Sequence, residues 1–150
     1  MSTQSTLVLI KPDGVNRGLI GNVISRLENS GLKISGIKIL KINQELAEKH
    51  YAEHIDKPFF SSLLNFIISS PVVAIVLSGP EAISKTRSLM GTTNPLESAP
   101  GTVRGDLGLT VEKNIIHGSA NQVDADREIN LYFNEDEIIS YKRSVDDWII

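Results

Sequence analysis

Six polar side chains have the types needed to hold a phosphate and act on it: Lys11, Arg87, Thr93, Arg104, Asn114 and His117. Arginine offers a planar fork that grips phosphate oxygens in pairs, and lysine supplies a compact charge. Threonine and asparagine add neutral hydrogen bonds, and histidine can move a proton or attack as a nucleophile. Each also has an ordinary explanation. Lys11 reads as a surface charge, Arg87 as a cation at a helix C-terminus, Thr93-Asn94-Pro95 as a turn and His117 as a structural histidine. Unaided, the residue types support an anion site and nothing sharper.

Sharper motifs fail. Gly31-Leu32-Lys33-Ile34-Ser35-Gly36 has the glycine spacing of a phosphate loop, but Ile37 stands where lysine is required and the stretch reads as a strand. The sequence has no Gly-x-Gly and no Gly-x-Ser-x-Gly, so the dinucleotide fingerprint and the nucleophile elbow are both missing. His50-Tyr51-Ala52-Glu53-His54 fits the inverted zinc-protease pattern. A short pattern of this kind arises readily in a polar helix, and the favoured reading is a solvated face with Tyr51 turned inward.

The elements that position these residues follow from periodicity. Leu7-Val8-Leu9-Ile10, a buried strand, runs into a tight loop at Lys11-Pro12-Asp13-Gly14. Leu19, Ile20, Val23, Ile24 and Leu27 predict a helix stopped at Gly31. Residues 32–42 predict a strand whose phase slips at Gly36, the mark of a bulge. Asn43 is set to cap a helix through Leu46 and Tyr51, and Pro58 to open another that buries Phe59 or Phe60 with Leu63 and Ile67. Val72 to Leu77 is a further strand, and a helix through Ile83 and Leu89 ends at Gly91. The stretch from Gly91 to Gly108 holds four of the 11 glycines and two of the 6 prolines without periodicity, and reads as a structureless functional loop. Ile115-Ile116 forms a brief strand before His117, Asn121 caps a last helix through Ile129 and Phe133, and Trp148-Ile149-Ile150 anchors the tail. This order suits either a ferredoxin-like split β-α-β arrangement or a small doubly wound sheet.

Composition narrows the function. At 150 residues one domain, 1–150, is expected. With 41% hydrophobic and 22% charged residues the chain is globular, and disorder is excluded. With Cys 0 there is no disulfide, thiolate metal site or cysteine nucleophile, which suits a cytoplasmic location. The longest apolar run, Val72 to Leu77, is far short of a membrane span, and Met1-Ser2-Thr3-Gln4 lacks the features of a signal peptide. A net charge of -3 gives no support for nucleic-acid binding, so an anionic substrate must be held by local positive charge.

Over essentially its whole length the sequence resembles the nucleoside diphosphate kinase family. The carriers are Lys11-Pro12-Asp13-Gly14-Val15, Arg17-Gly18-Leu19, His50-Tyr51, Pro58-Phe59-Phe60 and Pro71-Val72-Val73-Ala74. Thr92-Thr93-Asn94-Pro95, Pro100 to Asp106 and Asn114-Ile115-Ile116-His117-Gly118-Ser119 complete the series in order. The resemblance implies an α/β (α+β), ferredoxin-like fold: a four-stranded antiparallel sheet covered by helices, with a long functional loop at about 91–113. It implies transfer of the γ-phosphoryl group from a nucleoside triphosphate to a diphosphate through a phosphohistidine on His117, with ping-pong kinetics.

By matching position the resemblance assigns the remaining roles. Glu128 holds the far nitrogen of His117, and Ser119 supports Glu128. Arg87, Arg104 and Thr93 hold the phosphates, while Lys11 and Asn114 contact the sugar hydroxyls, with Lys11 also near the phosphoryl group. Tyr51 brings a hydroxyl close to the nucleophile, and His54 reaches the α-phosphate. Phe59 stacks on the base with Val111 opposite, which implies tolerance of base and sugar. Mg²⁺ is expected on the nucleotide phosphates, with no dedicated protein ligand for a metal. A homo-oligomer is implied, a hexamer rather than a tetramer. One departure stands out: the family's His-Gly-Ser-Asp reads His117-Gly118-Ser119-Ala120 here. Asn121 is expected to take over the capping duty of the missing aspartate, and Ala120 to affect local stability or subunit contacts while leaving transfer intact.

Overall fold

In the computed structural model, which describes residues 3–150, two central strands are buried from both sides. Met1 and Ser2, the start of the segment compared above with a signal peptide, lie outside the described residues. Strand β1 (Thr3–Ile10) pairs antiparallel with β3 (Val72–Pro80) along its length, and with β4 (Ile116–Gly118) on its other side. Strand β2 (Lys33–Leu40) pairs antiparallel with β3. The sheet order β2-β3-β1-β4 is the ferredoxin-like arrangement, and its antiparallel pairing excludes the doubly wound alternative.

Alternation along the central strands divides the core in two. Val8 and Ile10 with Val73, Ile75 and Leu77 face α2 (Ile20–Asn29) and α5 (Ala82–Met90). Leu7 and Leu9 with Val72, Ala74 and Val76 face α3 (Gln44–His50), α4 (Phe60–Ile67) and α7 (Gln122–Tyr132). Cover on both faces explains why these strands read as continuous apolar runs.

Several expectations meet their physical limits. β1 begins at Thr3, four residues before the apolar run, because backbone pairing with β3 carries polar residues into the strand. The supposed tight loop after it is a short helix, α1 (Pro12–Asn16), opened by Pro12. The bulge in β2 lies between Ile34 and Gly36, as the phase slip predicts. α4 begins at Phe60, two residues after Pro58, and leaves Phe59 exposed. The stretch 91–108 is structured: Asn94 caps a 3-10 turn at Pro95–Glu97, and Thr102 caps α6 (Val103–Leu107). Capping side chains, which carry no periodicity, order this segment. Asn121 caps α7 by accepting a hydrogen bond from the Asp124 amide at 2.8 Å, while Phe133 falls just beyond the helix.

The tail is held by other residues than expected. Trp148 is 90% exposed. The grip comes from Tyr141, whose hydroxyl donates to the Ile34 carbonyl at 2.6 Å, and from Arg143, which donates to the carbonyls of Gly31 and Leu32.

Candidate functional site

His117 takes its direction from the register of the sheet. It pairs with Leu9, whose side chain belongs to the layer beneath α3, α4 and α7, and paired residues project to the same face. The imidazole therefore meets α7. Its Nε2 lies 2.9 Å from Glu128 Oε1, and Ser119 Oγ donates to that same oxygen at 2.7 Å. Burial alone would push the Glu128 carboxyl up, but the hydrogen bonds and charge of His117, with Ser119, hold it below its usual value. Glu128 thus remains an anion aimed at one nitrogen of the ring. A carboxylate only accepts, so His117 donates from Nε2, and in the neutral ring Nδ1 is the nitrogen with the free lone pair.

The strand that presents His117 starts from a strained residue. Ile115 has φ 75°, a conformation that β-branched side chains rarely adopt. It cannot extend the strand, which is why β4 begins at Ile116 and not at Ile115. The conformation is held from three sides. The Ile115 amide donates to Asp13 Oδ2 at 3.0 Å, its carbonyl accepts from the Lys11 amide at 2.8 Å, and its side chain is fully buried. On the far side of His117, a Cβ on Gly118 would lie 2.4 Å from Met90 Sδ, so any larger residue there must displace the buried Met90 side chain.

Cations converge on the same place. Arg104, on α6, is buried and donates to the carbonyls of Asn114 at 3.2 Å, Gly91 at 3.2 Å and Ile116 at 2.6 Å. A guanidinium has five N–H donors, so two remain for a ligand. Burial, with the Arg87 charge nearby, lowers its pKa to about 10. Arg87, at the end of α5, donates to the Gly118 carbonyl at 3.2 Å. Lys11 donates to Asn114 Oδ1 at 2.6 Å, and Asn114 donates to the Thr93 carbonyl at 3.0 Å. Burial brings the Lys11 pKa down to about 8; Asp13 opposes that shift and Arg104 adds to it. Cations held without full counter-charge favour an anionic ligand.

These groups line one cavity of about 410 Å³. It is walled by Lys11, Tyr51, His54, Arg87, Thr93, Arg104, Val111, Asn114, His117 and Glu128, which come from widely separated parts of the chain. Ser119 stands behind Glu128. Phe59 does not line the cavity; its ring lies 5.5 Å from that of His54, which does, and like Val111 it is 47% exposed. Tyr51 caps α3, and burial with the Glu128 charge pushes its phenol up to about 12.

The zinc-like pattern comes apart in three dimensions. α3 ends at His50, so His50 and His54 do not share a helical face, and Glu53 is exposed. His50 is buried, not solvated as the sequence suggested. Its ring packs edge-on against His117, and potential ligand atoms of His50, His117 and Glu128 lie within 4.8 Å of one another. Two imidazoles and one carboxylate are a poor set for Mg²⁺, which seeks oxygen ligands. The sequence reading passed over His50, Tyr132, Asp13 and Ile115 as parts of the site. His50, Asp13 and Ile115 lie within the segments that carry the resemblance, so a signal was present for them; for Tyr132 no local pattern carried it.

Comparison with known proteins agrees with this geometry. A family model described as nucleoside diphosphate kinase matches residues 4–138. The chain is 54% identical over 146 residues to a nucleoside diphosphate kinase of Archaeoglobus fulgidus, covering 97% of each, and 53% identical to one of Carboxydothermus hydrogenoformans, covering 97% and 98%. Among solved structures it is similar to a halophilic nucleoside diphosphate kinase from Halobacterium salinarum in complex with CDP (TM-score 0.97, 47% identity, 99% of each chain). It is also similar to a transition state mimic of the Borrelia burgdorferi enzyme with bound vanadate and ADP (TM-score 0.91, 40% identity, 99% and 98%).

Proposed function

The chain belongs to the nucleoside diphosphate kinase family, and from that premise we propose that it moves a γ-phosphoryl group between nucleotides through His117. The observation that carries the reading is the bonding of His117: one nitrogen is committed to Glu128, in a cavity that also holds Lys11, Arg87 and Arg104.

The lone pair of His117 Nδ1 attacks the γ-phosphorus of a nucleoside triphosphate. The P–N bond forms as the bond to the β-phosphate oxygen breaks, and the diphosphate leaves with that electron pair. No proton need leave the ring, because the Nε2 proton stays directed at Glu128, which steadies the positive charge that develops. A β-phosphate oxygen of a second diphosphate then attacks the phosphorus and releases the imidazole. One cavity serves donor and acceptor in turn, hence ping-pong kinetics. Arg87 and the free donors of Arg104 hold the phosphate oxygens, with the Thr93 hydroxyl. Lys11 and Asn114, already joined, present a donor pair to the sugar hydroxyls, and the Lys11 charge also lies near the phosphoryl group.

Phe59, beside the cavity residue His54, and Val111, in the cavity wall, would give the base an apolar slot. Stacking on an aromatic ring contributes about 1–3 kcal/mol and ignores base identity, so broad use of nucleotides follows. Mg²⁺ enters with the nucleotide and neutralises phosphate charge there. A homo-oligomer, a hexamer in preference to a tetramer, would cover apolar side chains left exposed, among them Ile37 and Ile39 on edge strand β2 and Trp148 in the tail. No helix among the described residues is long and apolar enough to cross a membrane; a cytoplasmic setting would suit a chain without cysteine.

Incubation with γ-labelled ATP tests the reading. A base-stable, acid-labile label on the protein is expected, absent in His117→Ala with nucleotide binding retained. Persistence of the label in that variant would overturn it.

A further inference from the structure

Of the three histidines, His50 is the one buried, at 5% exposure, and the reaction above gives it no part. It closes α3, and its ring is boxed by three others, each met edge to face. His117 lies 4.7 Å away at 71°, Tyr51 4.7 Å at 80° and Tyr132 5.6 Å at 75°. Its Nδ1 is 3.1 Å from the hydroxyl of Tyr132, which is itself buried.

We propose that Tyr132 and His50 form a positioning pair for His117. The Tyr132 hydroxyl donates to His50 Nδ1 and fixes that ring, which then acts as a neutral wedge holding the His117 imidazole in line with Glu128. The inference rests on the reading that His117 is the nucleophile.

The proton assignment follows from the burial of both groups. A buried phenol O–H needs an acceptor, and Nδ1 is the one at hand, so the proton of His50 sits on Nε2. A protonated His50 would have two N–H donors and no acceptor for Tyr132. Burial, and then the neighbouring His117, lower the His50 pKa to about 3; the Glu128 charge opposes this, while Arg127 and His54 add to it. Burial also keeps the Tyr132 phenol protonated. The pair is therefore neutral where it touches the nucleophile. Neutrality matters because a cation at His50 would compete with His117 for Glu128, the carboxylate that fixes the attacking tautomer.

The chain places both halves of the arrangement on one helix. Glu128 and Tyr132 are four residues apart on α7, hence on the same face, and they reach His117 and His50 respectively. Tyr132 is a positioning residue, acting on His117 only through His50.

Tyr132→Phe removes one oxygen and keeps the ring. Imidazole ¹⁵N spectra of the free protein should show His117 as a single Nε2–H tautomer in the wild type and a mixture of tautomers in Tyr132→Phe. Single-turnover phosphorylation of His117 by ATP should slow three- to tenfold, with the nucleotide Kd within twofold. His50→Asn is the second variant: its amide oxygen still accepts from Tyr132, but no ring presses on His117, so the same loss of a single tautomer is expected in a folded protein. The proposal is overturned if both variants keep the His117 spectrum of the wild type, or if Tyr132→Phe phosphorylates at the wild-type rate while only its melting temperature falls. Absence of label from the wild-type protein would sink the assignment of the nucleophile instead. The tautomer measurement needs no turnover and judges the positioning pair by itself.

Discussion

Glu128 Oε1 lies 2.9 Å from His117 Nε2, and this single contact joins the edge strand of the sheet to the helix that covers it. Neither residue alone defines a nucleophile. The carboxylate fixes which ring nitrogen carries the proton, and so which one is left with a free electron pair.

Glu128→Gln keeps the size of the side chain and loses its charge. A hydrogen bond to a charged group contributes about 1.5–3 kcal/mol, so kcat should fall between roughly tenfold and a hundredfold with little change in KM. Steady-state kinetics over a range of donor and acceptor concentrations checks this. A rise in KM at constant kcat would mean that Glu128 serves binding and not the transition state.

Lys11 predicts an alkaline limb. With its pKa brought down to about 8, the side chain loses its charge, and its grip on an anion, as pH rises through that value. The ratio kcat/KM, which reports the free enzyme, should therefore decline above pH 8. Lys11→Arg keeps its charge through this range, so that limb should vanish even if the overall rate drops, since the two cations differ in shape.

His50 and Glu128 both make the fold sensitive to acid. An unfolded histidine takes up a proton below its ordinary value of 6.5, whereas His50 in the fold resists until about 3. Its contribution is full above pH 6.5 and declines as pH falls between those values, by up to about 1.4 kcal/mol per pH unit. Glu128, held below the usual 4.5, contributes above that pH and loses its contribution as pH falls through its folded value. Urea unfolding between pH 7 and 5 should show a decline in the wild type that flattens in His50→Asn. Parallel curves would contradict the neutral burial of His50.

Gly118→Ala should destabilise the protein by about 1–3 kcal/mol, because the added methyl meets Met90 Sδ at 2.4 Å in a packed core. Combining it with Met90→Ala relieves the clash, so the double variant should lose less stability than the sum of the two. Denaturant midpoints of the four proteins measure this coupling.

Phe59→Ala should weaken nucleotide binding by about 1–3 kcal/mol, by similar amounts for purines and pyrimidines. Calorimetric titration with ADP and CDP checks it. Selective loss for one base would point to edge recognition in place of stacking.

Local chemistry was legible from the sequence alone. Alternating and helical repeats marked the strands and most helices; Asn43 and Asn121 were readable as caps, and Gly91, at φ 91°, as a helix stop. Such signals survive in one dimension because the groups that interact are at most a few residues apart. His117 stood out as the candidate nucleophile only through resemblance, in the segment Asn114 to Ser119. Tertiary structure decided the rest. It showed Arg104 pinned to three carbonyls, Ile115 held at positive φ by Asp13 and Lys11, the tail gripped by Tyr141 and Arg143, and His50 wedged between Tyr132 and His117. Each of these depends on partners brought together by sheet register and helix packing. Side chains that bond to distant backbone, or to one another across layers, leave no period in the sequence to betray them.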